Sequence, residues 1–225
     1  MMLSRSRENL FIINLMEAIL EHIENIRVLP FATLDSPEKS LPLCYALMAG
    51  GCDLVAITVR SKDFDAAIQT VATDLPEMFV GVADIITCDQ VSAAHMCGAR
   101  FAITTGFDPL VLDRATEEGL PMIPGIMTPS NMSRALARGY NVLNFFPADA
   151  VGINLLSAEC AAFSQMNPQI IATGGLNNSN MKQWLDHPSV VGVGAAWICP
   201  EDLIAAEDWA EITRRTQETL AIAHS

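Results

Sequence analysis

The sequence predicts an α/β protein: a (β/α)8 barrel of the TIM type with one extra helix at its amino terminus. Three observations carry the prediction. Eight short runs rich in apolar and β-branched residues recur at 27–33, 53–60, 78–84, 100–105, 121–125, 142–146, 170–173 and 190–195. Segments of helical period separate them, each about one crossover helix long. No GxGxxG follows the first run, so the main signal for the rival open, doubly wound sheet is missing. The runs are continuously apolar instead of alternating, as expected of parallel strands covered on both faces.

In chain order, residues 1–25 carry Glu17, Glu21 and Glu24 through their apolar part, which reads as an amphipathic helix capping the barrel and not as a signal peptide. The crossover helices are expected at 37–49, 64–73, 89–97, 109–118, 130–137, 153–161 and 179–185, with a closing helix near 201–223. Asp35-Ser36-Pro37-Glu38 and Thr128-Pro129-Ser130 place capping oxygens and proline at helix starts. Gly50-Gly51, Gly98 and Gly139 follow helix ends. No composition shift or low-complexity tract divides the chain, so 1–225 is expected to form a single barrel domain with 1–25 as its appendage.

The bulk numbers exclude several classes. Of the 225 residues, 51% are hydrophobic and 17% charged, which favours a buried core over disorder. A net charge of −13 repels a phosphate backbone, and Arg5, Arg7, Arg27, Arg100, Arg134 and Arg138 form no dense basic run, so nucleic acid is not an expected partner. No apolar stretch reaches the roughly 18 to 20 residues that cross a bilayer. The six cysteines, at 44, 52, 88, 97, 160 and 199, show no C-x-x-C pair and no histidine at ligand spacing, so reduced core thiols in a cytoplasm are expected. A Cys88–Cys97 disulfide would have to span about 13 Å along a regular helix.

In such a barrel the working residues sit at the carboxyl ends of the strands. Arg60, Asp84, Thr104-Thr105, Pro124-Gly125, Asn144-Phe145-Phe146-Pro147, Thr173-Gly174-Gly175 and Gly194-Ala195-Ala196 would converge on one mouth. The loops after the seventh and eighth strands are the usual phosphate cradle, because glycines let backbone N–H groups approach the oxygens and a following helix points its positive end inward. Thr173-Gly174-Gly175 followed by Asn177-Asn178-Ser179, with Gly194-Ala195-Ala196 beside it, fits that role. A glycine pair after a strand also reads as a tight turn.

The stretches Ala46-Leu47-Met48-Ala49-Gly50-Gly51, Ile57-Thr58-Val59-Arg60, Phe101-Ala102-Ile103, Pro121-Met122-Ile123-Pro124-Gly125-Ile126, Phe145-Phe146-Pro147-Ala148 and Thr173-Gly174-Gly175, with Trp197 and Pro200, closely resemble the 2-keto-3-deoxy-6-phosphogluconate (KDPG) and 4-hydroxy-2-oxoglutarate (KHG) aldolase family. The match runs in order from about residue 25 onward. The resemblance implies a homotrimeric, cytoplasmic class I aldolase. It would cleave a phosphorylated 2-keto-3-deoxy sugar acid to pyruvate and glyceraldehyde 3-phosphate, with no metal or organic cofactor. In that family a lysine on the sixth strand attacks the keto carbon and a glutamate on the second strand shuttles protons.

The sequence departs from the pattern at those places. Asn144 stands at the lysine position, Ala56 at the glutamate position, Asp84 at a threonine ending strand three, Thr105 at a proline ending strand four and Ala196 at a serine of the phosphate loop. An amide nitrogen has no nucleophilic lone pair for a ketone, so Asn144 forms no imine. Arg60 matches the family's arginine for the substrate carboxylate, and Asp84, across the same mouth, either pairs with it or leaves it to a ligand. Thr105, Pro124 and Phe146 are candidate walls of the substrate pocket, and Thr173, Gly174, Gly175, Gly194, Ala195 and Ala196 are candidate phosphate contacts.

Of Lys39, Lys62 and Lys182, Lys62 alone lies near the mouth, where a solvated loop lysine is the plainer reading. A metal-dependent rescue would need carboxylates or histidines to join Asp84. Asp149 is one candidate, and none of His22, His95, His187 and His224 falls at a strand end. Met122, Met127, Met132 and Met181 are expected to fill core or interface gaps. Three readings follow: a lyase with an altered catalytic set, a catalytically silent barrel that binds a sugar acid or phosphate or serves as an assembly partner, and enol chemistry with Asp84 as general base.

Overall fold

The computed structural model describes residues 15–225, so the expectation for the first fourteen residues of the capping helix lies outside the described residues. Among the described residues, ten short strands form two parallel five-stranded sheets. Proline explains the number. Pro30 separates β1 (Val28–Leu29) from β2 (Phe31–Ala32), and Pro124 separates β6 (Met122–Ile123) from β7 (Gly125–Ile126). Without an N–H, each proline breaks a ladder in which every other residue donates.

The two pieces of each split strand pair in different directions. β2 pairs with β3 (Leu54–Thr58), then come β4 (Phe79–Ile85), β5 (Ala102–Thr104) and β6. β7 pairs with β8 (Val142–Phe145), then come β9 (Gln169–Ala172), β10 (Val190–Gly194) and β1. The proline carbonyls carry the ladder across each joint, accepting from Ala56 N and Asn144 N at 2.9 Å. With each split strand counted once, pairing therefore passes through eight positions and returns to its start, the barrel order the sequence predicts.

Helices fill the crossovers. A first helix, α1, is described over 15–26. It is followed by α2 (Ser40–Ala49), α3 (Phe64–Asp74), α4 (Cys88–Met96), α5 (Pro109–Glu118), α6 (Pro129–Ala137), α7 (Ala148–Val151), α8 (Ile153–Ala162), α9 (Met181–Leu185), α10 (Glu201–Ala205) and α11 (Trp209–Ala223). Thr128 caps α6 through Asn131 N, ahead of Pro129, as its sequence suggests. Ser36 does not cap: Pro37–Lys39 is a separate 3-10 turn, and Ser36 Oγ bonds the Glu38 carboxylate instead. The single helix expected over 201–223 is two, because Glu207 takes a left-handed backbone (φ 56) and Asp208 caps a new start through Glu211 N.

Strand alternation produces two apolar cores. Inside the barrel, Leu29, Leu54, Ala56, Ala83, Phe101, Ile103, Ile123, Val142 and Ile171 pack with Ile19 and Ile23 of α1, which plugs the amino end. Outside it, Val55, Ile57, Val80, Val82, Leu143 and Ile170 meet the helices. Glycine gives room where large side chains cross the axis: a Cβ on Gly81 would lie 2.4 Å from the Phe101 ring, and one on Gly192 would lie 2.9 Å from Ile23. Met122, Met132 and Met181 are buried as expected, whereas Met127 is 41% exposed at the rim.

All six cysteines are free thiols, and burial pushes Cys44 and Cys52 up to about 12. Among the described residues no helix is long and apolar enough to cross a membrane. At the amino end, a cavity of about 640 Å3 is lined by Leu20, Leu120, Met122, Arg138 and Tyr140, away from the carboxyl ends of the strands.

A half-buried arginine and a buried glutamate frame the outer core. Arg27 follows α1 in a left-handed backbone (φ 62), and its guanidinium donates to Leu185 O at 2.6 Å and Ala223 O at 3.2 Å, the last carbonyls of α9 and α11. A cation suits the negative end of a helix. Glu159 on α8 is the opposite case, buried with neither carboxylate oxygen hydrogen-bonded. Burial pushes its pKa above the ordinary value of 4.5. The folded state therefore holds the proton longer than the unfolded chain, and stability falls as pH rises through that interval. Glu159→Leu should raise the urea midpoint at neutral pH and remove this decline; a variant that keeps the wild-type slope between pH 4 and 7 would show that Glu159 has a partner.

Candidate active site

Because the strands are parallel, their carboxyl ends share one rim. Arg60, Asp84, Thr104, Pro124, Asn144, Phe146, Thr173-Gly174-Gly175 and Gly194-Ala195-Ala196 lie at those ends, where the sequence reading expects them, and Thr33 and Thr58 join them there.

Asn144 is the hub of one side. It sits near the end of β8, 3% exposed, and points to the barrel interior between its neighbours on the ring. Its Nδ2 donates to Thr104 O at 2.9 Å, and its Oδ1 accepts from Thr173 Oγ1 at 2.6 Å. Thr104 extends the chain: its Oγ1 accepts from Gly125 N at 2.9 Å and donates to Gly106 O at 2.7 Å. A buried amide needs such partners, and here it ties the end of β5 to that of β9. Lysine has no acceptor atom and could not receive the Thr173 hydroxyl. At this strand end Thr104 makes the hydrogen bonds, while Thr105 contributes backbone: a Cβ on Gly125 would lie 2.2 Å from its carbonyl carbon. Ala56 is fully buried in the apolar interior with Ala83, Ile103 and Ile171, where it offers no proton-transfer group.

The other side carries the charge. Arg60 Nη2 lies 3.1 Å from Asp84 Oδ2, so the structure realises the internal pair. Thr33 Oγ1 is 3.5 Å from the same nitrogen and 3.0 Å from Thr58 Oγ1. Asp84 has φ 64 at a shift in the β4–β5 register, between the Val82–Ala102 and Ile85–Thr104 pairs. Burial pushes its carboxyl above the usual value, opposed by the positive charge of Arg60. Lys62 follows as an exposed residue whose backbone N–H bonds Leu34 O at 3.0 Å. Lys39 and Lys182 pair with Asp35 and Asp186. Among the described residues no group of three or more His, Cys, Asp or Glu side chains is gathered at metal-binding distance, and Asp149 accepts from Asn180 Nδ2 at 3.1 Å instead of joining Asp84.

The loop after β9 has the glycine geometry of a cradle. Gly174 and Gly175 have φ 94 and 78, which places their backbone in a region glycine enters freely. Phe146 leans on Gly174, where a Cβ would lie 2.9 Å from its ring, and Asp149 backs Gly175. Two details revise the expected cradle. The helix after this loop, α9, starts at Met181 and has five residues, and the Asn177 side chain turns back to Ser179 N and Oγ, so no long helix aims its end at the mouth. Ala195 N donates to Leu29 O at 2.8 Å and is committed to the barrel wall. That leaves Gly174, Gly175 and exposed Ala196 as the open backbone of this corner. Asn178 Oδ1 accepts from Trp197 Nε1 at 2.8 Å and Thr219 Oγ1 at 2.9 Å, joining the two loops. Sequence reading missed this link, and it also missed Thr33 and Thr58 as a pair; hydroxyls at the ends of apolar runs were the available signal.

Comparison with known proteins agrees along the chain. Residues 19–215 match the family model for KDPG and KHG aldolase. A 2-dehydro-3-deoxy-phosphogluconate aldolase of Treponema pallidum (strain Nichols) is 33% identical over 208 residues, covering 92% of this chain and 98% of the relative. The KHG/KDPG aldolase of Escherichia coli (strain K12) is 33% identical over 194 residues, covering 86% and 90%. A crystal structure of KDPG aldolase from Legionella pneumophila, with pyruvate captured at low pH as a covalent carbinolamine intermediate, is similar with TM-score 0.83 and 33% identity, over 87% of this chain and 95% of that one.

The clamp at Asn144 has a measurable consequence. Asn144→Ala leaves the Thr173 hydroxyl and the Thr104 carbonyl without partners in a buried site, a loss of about 1–3 kcal/mol. Urea unfolding should show it as a lower midpoint with an unchanged slope. An unaltered midpoint would mean that the amide holds nothing together.

Proposed function

The chain belongs to the KDPG and KHG aldolase family, and from that premise we propose that it takes a phosphorylated 2-keto-3-deoxy sugar acid, or the pyruvate released from one, at the strand-end mouth, without the family's imine chemistry. The observation that carries this reading is Asn144: the side chain at the lysine position is a buried amide engaged on both sides, by Thr104 O and Thr173 Oγ1. The carbinolamine named for the Legionella protein requires an amine nucleophile, and an amide nitrogen shares its lone pair with the carbonyl. Ala56 removes the proton shuttle as well. Losing both members of a cooperating set removes the step and not just part of its rate.

What supports binding is separate from what opposes turnover. Open glycine backbone at Gly174 and Gly175 suits a phosphate, and Phe146, packed on Gly174, borders that corner. As general base for enol chemistry, Asp84 is disfavoured by its contact with Arg60 at 3.1 Å, which holds the carboxylate on a cation. The same proposal treats the chain as one barrel domain acting in the cytoplasm as a homotrimer.

Restoring the missing pair is the test. Asn144→Lys with Ala56→Glu should gain pyruvate release from KDPG and a borohydride-trapped adduct on the introduced amine, whereas wild type should give neither. Purified wild type that releases pyruvate, with the adduct mapped to Lys62, would overturn the reading by showing that the amine has moved.

A further inference from the structure

Arg60 is the guanidinium at the mouth, and it is already in contact with an anion supplied by the protein. Asp84 Oδ2 lies 3.1 Å from its Nη2; the acid side chain is 24% exposed and the arginine side chain 66%. The carboxylate is therefore the fixed member of the pair and the guanidinium the one that reaches. Thr33 Oγ1, at 3.5 Å, approaches the same Nη2 from the first strand.

The backbone shows that this placement is built in. Asp84 adopts φ 64, a left-handed conformation that a side chain with a Cβ enters at a cost, at the point where the β4–β5 register slips. A residue in ordinary extended backbone there would keep the ladder in step and send its side chain elsewhere. Ala83 faces the barrel interior and Ile85 the outer core, so the bulge puts the acid between them, at the rim beside Arg60.

We propose that Asp84 is a specificity-determining residue: its carboxylate occupies a position on Arg60 that a ligand's carboxylate would take, so the mouth holds the carboxylate end of a ligand more weakly than the guanidinium alone would, without closing to it. The proposal rests on the reading of this mouth as a ligand site. A free carboxylate must displace Asp84 or approach beside it, and both routes set two negative charges near one cation. The phosphate corner escapes this competition, because Gly174 and Gly175 follow β9, on the opposite side of the eight-membered ring from β4. A 2-keto sugar acid would then be held mainly by its phosphate end.

Asp84→Asn is the decisive variant, since asparagine has the same shape and tolerates left-handed backbone, so the bulge is kept while the charge goes. The full chain, its Asp84→Asn form and the Asp84→Asn, Arg60→Ala double variant are titrated with pyruvate and, separately, with inorganic phosphate, by calorimetry. Asp84→Asn should bind pyruvate about three- to fivefold more tightly than wild type, the double variant should lose that gain, and phosphate affinity should be the same in all three. Equal pyruvate affinity in wild type and Asp84→Asn, no pyruvate binding by either, or a gain that survives loss of Arg60 would each overturn the proposal. Absence of phosphate binding in every form would instead count against the phosphorylated-ligand reading of the mouth, and the pyruvate comparison would still decide the role of Asp84.

Discussion

The parallel hydrogen-bonded ring is the constraint from which the rest follows. Each strand's neighbours are fixed by pairing, from β2 through β6 and from β7 round to β1, with Pro30 and Pro124 marking the two joints. Once the ring is set, every strand delivers its last residues to one rim, whatever those residues are. Chemistry there depends on the side chains and the loop backbone that the rim carries, and the fold survives their replacement.

The interior shows how the side chains at these strand ends are accommodated. A charged lysine and glutamate inside an apolar barrel would need each other or a ligand. Ala56 simply joins the apolar layer with Ala83, Ile103 and Ile171. Asn144 goes further: donor and acceptor on one amide match a carbonyl on the β5 side and a hydroxyl on the β9 side. Asn144 is thus a cross-brace, and that brace gives the interior a polar layer with its bonds satisfied.

Much of this was legible in the chain. The apolar runs gave the eight ring positions, and glycines and capping threonines located most helix boundaries, as at Thr128 and Gly139. Asn144 and Ala56 were visible as residue types, but the clamp was not, because Thr104 and Thr173 lie forty and twenty-nine positions away and meet Asn144 only through the pairing of strands. The Arg60–Asp84 contact was one of two open possibilities until the bulge at Asp84 fixed the direction of its side chain. Periodicity also carried no sign of the break at Glu207, where one residue's backbone divides a continuous helical pattern. The positive helix end expected beside Gly174-Gly175 failed for a local reason: Asn177 and Asn180 bond within their own turn, which delays the helix to Met181.

Arg27 bears on how the molecule comes apart. One guanidinium holds the final carbonyls of α9 and α11, and its own backbone forms the turn by which α1 enters the first strand. The plug beneath the barrel and the last two layers of its outer wall therefore share a fastening. Fraying of α11 would release the arginine, and with it the corner that keeps α1 in place, so these segments are expected to open as one cooperative unit in hydrogen exchange, not as independent edges.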